Sequence, residues 1–234
     1  LLPIAQQINI HLAACGFTLC KGNIMAGNPD LCLSRAEWAR RFAAFIREAT
    51  PENLLASSIY FDLRVVWGDE QGCQQLRRSV LEQVADNRLF QRMMADNALR
   101  HRPPVGRFRE FVLERKGGDK ATLDLKIQGL TPFVDGARLL ALANGVYANN
   151  TLERLRQLIT LGVIEPLDGA AYEEAYHFIQ QTRMQQHQLQ TRENRPYSNR
   201  VDPDQLNQLD RRILREALRQ AQRLQSSLAL RYQL

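Results

Sequence analysis

At 234 residues, with 31 basic against 25 acidic side chains and a net charge of +6, the chain is long enough for one large or two ordinary domains and favours anionic ligands or partners. It contains no apolar run long enough to cross a membrane, and the opening LLPIAQQINIHLAACGF is too polar, and lacks the basic leader, to read as a signal peptide. The four cysteines, Cys15, Cys20, Cys32 and Cys73, fit no zinc spacing, which points to reduced thiols in a cytoplasmic protein. The arginine excess is dispersed, with no dense basic run interleaved with aromatics, which argues against nucleic acid as the partner.

In chain order, residues 4–15 predict a short amphipathic helix ended by Gly16. TLCKGNIMAGNPDLCLS is turn-rich, with a short strand expected at its start. Ser34 with Glu37 three residues on predicts a capping box that opens a helix over 34–48 and buries Trp38, Phe42, Phe45 and Ile46. After Pro51 comes SSIYFDLRVVWGD, Ser57 to Asp69. Its alternation puts Ile59, Phe61, Leu63, Val65 and Trp67 on one face and Tyr60, Asp62, Arg64 and Val66 on the other, which predicts a strand over 57–67. On such a strand Asp62 and Arg64 point the same way, about 7 Å apart. They form either an exposed or ion-paired strand face or a carboxylate delivered into a cleft. Gly68–Asp69 stops the strand. A helix over 70–85 then places Cys73, Leu76, Val80 and Val84 on one side.

From Asp86 onward the pattern is nearly all helical. A helix over 87–101 stops before Pro103–Pro104, an irregular or extended part spans 107–127, and helices follow over 131–144, 150–161, 167–191 and 204–232. The last carries Leu206, Leu209, Ile213, Ala217, Ala221, Leu224 and Leu228 at three- and four-residue spacing. The expected fold is therefore mostly α with a small α/β part, divided into residues 1–86 and an antiparallel helical bundle over 87–234. A single strand makes no independent sheet, so its partner strands are expected upstream of residue 1.

Several polar residues carry a functional reading beside a plainer one. Lys21 and Asn23, with Gly27 and Asn28, form a loop suited to close backbone approach and a point charge on phosphate, or an ordinary turn cluster. Lys126, in LDLKIQGL, shares a face with Asp124 and Gln128 if extended, and is either a ligand contact or a solvated lysine. Asp135 and Arg138, at i and i+3, predict a helical ion pair. Tyr176, Arg183 and His187 extend the apolar stripe of the 167–191 helix, which marks either a pocket between helices or hydrogen-bonded structural residues. No serine or cysteine motif stands beside His187, so it is not read as a general base. Arg211, Arg212, Arg215, Arg219 and Arg223 form a basic outer face on the last helix, diluted by Asp210 and Glu216. That face reads as solvated, or as a contact for a partner or a neighbouring subunit.

CGFTLCKGNIMAGNP, YFDLRVVWGD, NALRHRPPVGRF, LDLKIQGLTPFVDGARLLAL and NTLERL, in that order, resemble the bacterial nucleotidyltransferase-like signal-transduction proteins. In that family a polymerase-β-type nucleotidyltransferase domain precedes a helical substrate-binding domain, with cyclic-nucleotide-binding and CBS domains often upstream. A more distant similarity runs to the uridylyltransferase of the PII protein and to the adenylyltransferase of glutamine synthetase. The resemblance implies transfer of a nucleoside monophosphate from an NTP to a hydroxyl on a protein or small molecule, with Mg2+. It implies Asp62 as catalytic metal ligand and Arg64, Lys21, Asn23 and Lys126 as nucleotide contacts. Arg138, Tyr176, Arg183 and His187 would line the acceptor site. The partners it implies are a nucleotide, a protein substrate and upstream regulatory domains of the same polypeptide; a homodimer is a separate expectation, tied to the basic face of the last helix. One departure stands out: no Gly-Ser turn followed by Asp-x-Asp occurs in the 234 residues. The catalytic half is therefore expected outside this chain, which alone is expected to be inactive. The competing expectation is a non-catalytic regulatory or protein-interaction module built on a degenerate transferase fold.

Overall fold

The computed structural model describes residues 1–106, 111 and 122–234. Among them the fold is mostly α, with nine α-helices and one small antiparallel pair of strands. The helices are α1 (Leu2–Ala14), α2 (Arg35–Arg47), α3 (Pro51–Tyr60), α4 (Glu70–Asp86), α5 (Arg88–Ala98), α6 (Thr131–Ala143), α7 (Thr151–Thr160), α8 (Pro166–Arg192) and α9 (Gln208–Tyr232). Strand β1 (Leu123–Asp124) pairs with β2 (Arg200–Val201), and a π-helical turn, Leu125–Leu130, leads from β1 into α6. Most of the irregular part expected over 107–127 lies outside the described residues.

Local chemistry accounts for most of the helix ends. Ser34 Oγ accepts from the Glu37 amide while Glu37 Oε2 accepts from the Ser34 amide, so the capping box forms as read. At the end of α1, Gly16 takes φ +95°, its amide reaches Ala13 O, and the Phe17 amide reaches Leu12 O. This double closure requires the left-handed conformation that glycine adopts without a Cβ penalty.

The strand expected over 57–67 is not formed. Thr50 caps a helix through its hydroxyl on the Asn53 amide, Pro51 occupies the first turn, and α3 runs through Ser57, Ile59 and Tyr60. Leu54, Ser57 and Phe61, spaced three and four apart, face the core, and the buried Ser57 hydroxyl is satisfied by Asn53 O at 2.7 Å. Val66 and Trp67 are 90% and 94% exposed, so the second half of the apolar run is surface. The short strand expected at the start of the 18–34 loop is likewise absent, and that segment is built of turns and irregular backbone.

The core is one continuous cluster running from Phe42 and Ile46 in α2 to Leu228 and Tyr232 in α9. Trp38 and Phe45, expected in the core, are only partly buried, as are Cys73 and Leu76 of α4, whereas Val80 and Val84 are buried. On α9 the buried face is rotated from the expected stripe. Leu214, Ala217, Leu218, Ala221, Leu224, Leu228 and Tyr232 face inward, whereas Leu209 and Ile213 remain 59% and 38% exposed. Each of those two precedes the inward row, and the crowding of α9 by α5, α6 and α8 selects the 214–218–221 side.

Candidate functional site

Asp62 follows the end of α3 and is the centre of a partly buried charge cluster. One of its oxygens accepts from Arg138 Nε and Nη2 at 3.2 and 3.0 Å, and the other accepts from Arg154 Nη2. Arg138 sits on α6 and also donates from Nη1 to Asp135 Oδ1 at 2.8 Å, the expected i,i+3 pair. Arg154 sits on α7 and anchors its Nε on Ala148 O at 2.8 Å. The side chains are 23% exposed for Asp62, 11% for Arg138 and 3% for Arg154. Burial lowers the Arg154 pKa against the opposing pull of Asp62, and burial raises that of the Asp135 carboxyl against the opposing pull of Arg138.

A second tie lies beside the first. The turn after α6 uses Gly145 at φ +70°, with the Val146 amide closing on Ala141 O, and sends residues 146–149 back toward α4. Asn149 Nδ2 donates to Leu63 O at 3.2 Å, while its Oδ1 accepts from Arg77 Nη2 at 3.0 Å. The Arg77 guanidinium lies over the Tyr147 ring, 5.1 Å from its centroid. Beyond this tie, Arg64, Val66, Trp67, Cys73, Gln74 and Arg77 line an open groove of about 390 Å³. Arg64 is exposed on this groove, and the pairing of Arg64 with Asp62 considered from the sequence is replaced by Arg138 and Arg154.

The second constellation runs along α8. Tyr176 packs edge-on against Phe133 at 6.2 Å, and its hydroxyl accepts from Gln180 Nε2. Arg183 donates from Nη1 to Gln180 Oε1 and from Nε to Asn199 Oδ1, both at 2.9 Å. His187 lies against the Tyr197 ring at 5.5 Å, and among the described residues its buried Nε2 has no hydrogen-bond partner. Tyr176, Arg183 and His187 thus lie along one helix, with Tyr197 against His187, Asn199 on Arg183 and Phe133 against Tyr176.

Lys21 and Asn23 sit in exposed turns of the N-terminal loop, where Asn23 takes φ +56° and its carbonyl accepts from Asn28 Nδ2. Lys126 is exposed on the π-helical turn, whose start is capped by Asp124 Oδ1 on the Lys126 and Ile127 amides. That turn packs against α6 and α8, and the Leu125 amide donates to Asn199 O at 2.9 Å, so Lys126 sits on a helical turn next to that contact rather than on a strand. The basic face of α9 is partly neutralised: Arg211 pairs with Asp204 at 2.9 Å and Arg219 with Glu216 at 3.2 Å, while Arg215 lies over Phe111.

Sequence reasoning missed Arg77, Asn149 and Arg154 at the first cluster, and Gln180 and Asn199 at the second. Arg154 had a usable signal: it falls between the buried Thr151 and Leu158 at i−3 and i+4, so α7 places it on the inward stripe. Asn149 and Asn199 stand in connecting segments with no period to mark them.

The resemblance implies magnesium, which takes hard oxygen ligands, commonly one or two carboxylates plus phosphate and water. Both Asp62 oxygens already accept from guanidinium groups, and among the described residues no three His, Cys, Asp or Glu side chains gather into a metal-binding group. Asp202-Pro203-Asp204 spells Asp-x-Asp, but Asp202 caps the Asp204 amide and Asp204 pairs with Arg211. These residues do not fit a magnesium ion.

Residues 88–232 match the family model described as "Putative nucleotidyltransferase substrate binding domain", and residues 1–52 match the one described as "Putative nucleotidyltransferase DUF294". The first match covers more than half of the chain, and the chain belongs to that family. No curated protein and no solved structure matches it. Among the described residues, no helix is long and apolar enough to cross a membrane.

Proposed function

We propose that this chain supplies the acceptor side of a nucleotidyl-transfer protein. In that reaction an acceptor hydroxyl, on a protein or a small molecule, attacks the α-phosphorus of an NTP. The bond to pyrophosphate breaks, pyrophosphate leaves, and the hydroxyl proton passes to solvent or base. The α8 stripe holds the acceptor: Arg183, pre-oriented by Gln180 and Asn199, meets an anionic or carbonyl group, and His187 Nε2 meets a polar one. Arg64, exposed on its groove, meets nucleotide phosphate, with Lys126 flanking α8. The observation that carries this reading is the buried, unpartnered His187 Nε2 beside the held Arg183, within a region matched as substrate-binding. A buried polar atom without a partner calls for one, and a ligand is the economical supplier.

The test is label transfer from radiolabelled NTPs to candidate acceptors, by a polypeptide that contains this chain together with a Gly-Ser and Asp-x-Asp carboxylate pair. Arg183→Ala is expected to raise the acceptor KM about tenfold, in line with loss of one charged hydrogen bond, and to leave the NTP KM unchanged. An unaltered acceptor KM overturns the assignment. A second reading, a non-catalytic regulatory module that docks a partner, is favoured by the lack of a Gly-Ser turn followed by Asp-x-Asp in the chain. It predicts no label incorporation with any acceptor, and partner binding that Arg183→Ala weakens.

A further inference from the structure

The family matches leave residues 53–87 unassigned, and Asp62 falls there. Its two arginine partners belong to α6 and α7, inside the substrate-binding match. We propose that Asp62 serves in this chain as an electrostatic pin that fastens the irregular segment 61–69 to the helical unit, in place of a magnesium-binding role.

Three observations converge on this. The first is occupancy: both carboxylate oxygens accept from guanidinium nitrogens on different helices. The second is burial. Arg154 is 3% exposed, and apart from Asp62 its guanidinium is bonded to Ala148 O. Taking Asp62 away leaves a nearly dry cation without a counter-charge, a far larger cost than losing an exposed pair. A divalent cation would have to displace both guanidinium groups and then sit beside them against their repulsion. The third is chain geometry. Asp62 and Leu63 are held by Arg138, Arg154 and Asn149, whereas Val66 and Trp67 a few residues on are almost wholly exposed. The pin and its neighbour therefore fix where the chain leaves the surface, and with it the position of Arg64 and Trp67 over the groove.

Local release can be read by limited trypsin cleavage after Arg64, which is exposed and lies outside regular structure. Cleavage after Lys21, in an exposed turn of the N-terminal loop, serves as the internal reference. The chain is compared as wild type, Asp62→Asn and Arg154→Met, each with and without Mn2+ as the metal probe. In Asp62→Asn, cleavage after Arg64 should accelerate about tenfold or more, with the rate after Lys21 unchanged, because opening is confined to the unpinned segment. Mn2+ should leave the wild-type pattern unaltered. Equal Arg64 cleavage in wild type and Asp62→Asn overturns the pin, as does Mn2+ protection of Arg64 in wild type that Asp62→Asn abolishes. Should Asp62→Asn not fold, Arg154→Met decides: faster cleavage after Arg64 supports the pin, and an unchanged rate overturns it. The readout is independent of transfer activity, so it stands or falls apart from the acceptor assignment.

Discussion

Helices α1 and α6 are each 13 residues long, each apolar, and each opens near a proline, yet α1 has no buried residue and α6 has eight. Composition does not separate them. What separates them is the number of elements each meets. α6 packs against α4, α5, α7, α9 and the π-helical turn. α1 is tied to the neighbouring loop by side-chain bonds to Gly27, from Gln6 to its carbonyl and from its amide to Asn9. An apolar helix is buried only where the topology surrounds it, and most helical stability comes from that packing rather than from propensity. α6 is also where the charge cluster is built, because Asp135 and Arg138 ride on the one flank that faces Asp62.

The sharpest way to break the comparison is to remove the largest buried side chain of α6. Phe133 is fully buried between Tyr172 and Tyr176, with ring centroids 6.1 and 6.2 Å away. Phe133→Ala should cost about 3–5 kcal/mol of unfolding free energy, measured by urea denaturation, and should loosen the Tyr176 end of the α8 stripe. A smaller effect is expected one turn on, at Gly136. A Cβ there would stand 3.0 Å from Leu224 Cδ2 and 3.3 Å from Leu228 Cδ1, so α6 and α9 are in close approach. Gly136→Ala gains about 1 kcal/mol of helix propensity, against roughly 1–3 kcal/mol for overpacking, so a net loss near 1 kcal/mol is expected in the same assay.

Those two positions also show what was legible in the sequence. The periods of α2, α4, α6, α7 and α8 could be read directly, because their apolar residues recur at three and four, and the starts of α2, α4 and α7 carry capping side chains, Ser34, Asp69 and Asn150. The segment 57–67 misled because β-branched and aromatic residues happen to alternate there, while the competing signal, the Thr50–Pro51–Glu52 helix start, stands upstream of it. Once α3 forms, Asp62 falls in the irregular segment after the helix instead of on a strand face, and its partners come from α6 and α7, 76 and 92 residues away. No local pattern encodes such pairing. The α8 stripe was readable because all its members share one helix, but Asn199, which completes it, arrives by chain reversal and left no periodic trace.

A subtler test uses the flank of α6 that carries charge. Burial raises the Asp135 carboxyl above its ordinary value despite the pairing with Arg138. Within the window between the ordinary and the raised value, the native state binds more protons than the unfolded chain. Stability from this group is therefore present below that window and falls as pH rises through it. Asp135→Asn should remove that slope, so the unfolding free energy of the wild type falls relative to that of the variant as pH increases from about 4 upward. Parallel stability curves for the two proteins would show that Asp135 titrates as it does in the unfolded chain.

The smallest expected effect is the counterpart on α1. Ile8 is 51% exposed, and α1 has no buried residue. Ile8→Ala removes apolar surface that water already covers, so it leaves no cavity behind, and alanine is the better helix former of the two. Unfolding free energy should stay within about 0.5 kcal/mol of wild type, against several kcal/mol for Phe133→Ala on a helix of the same length and character. A loss above about 2 kcal/mol at Ile8 would mean that α1 is packed in solution against something that buries it, and the contrast with α6 would then be one of partner identity rather than of partner number.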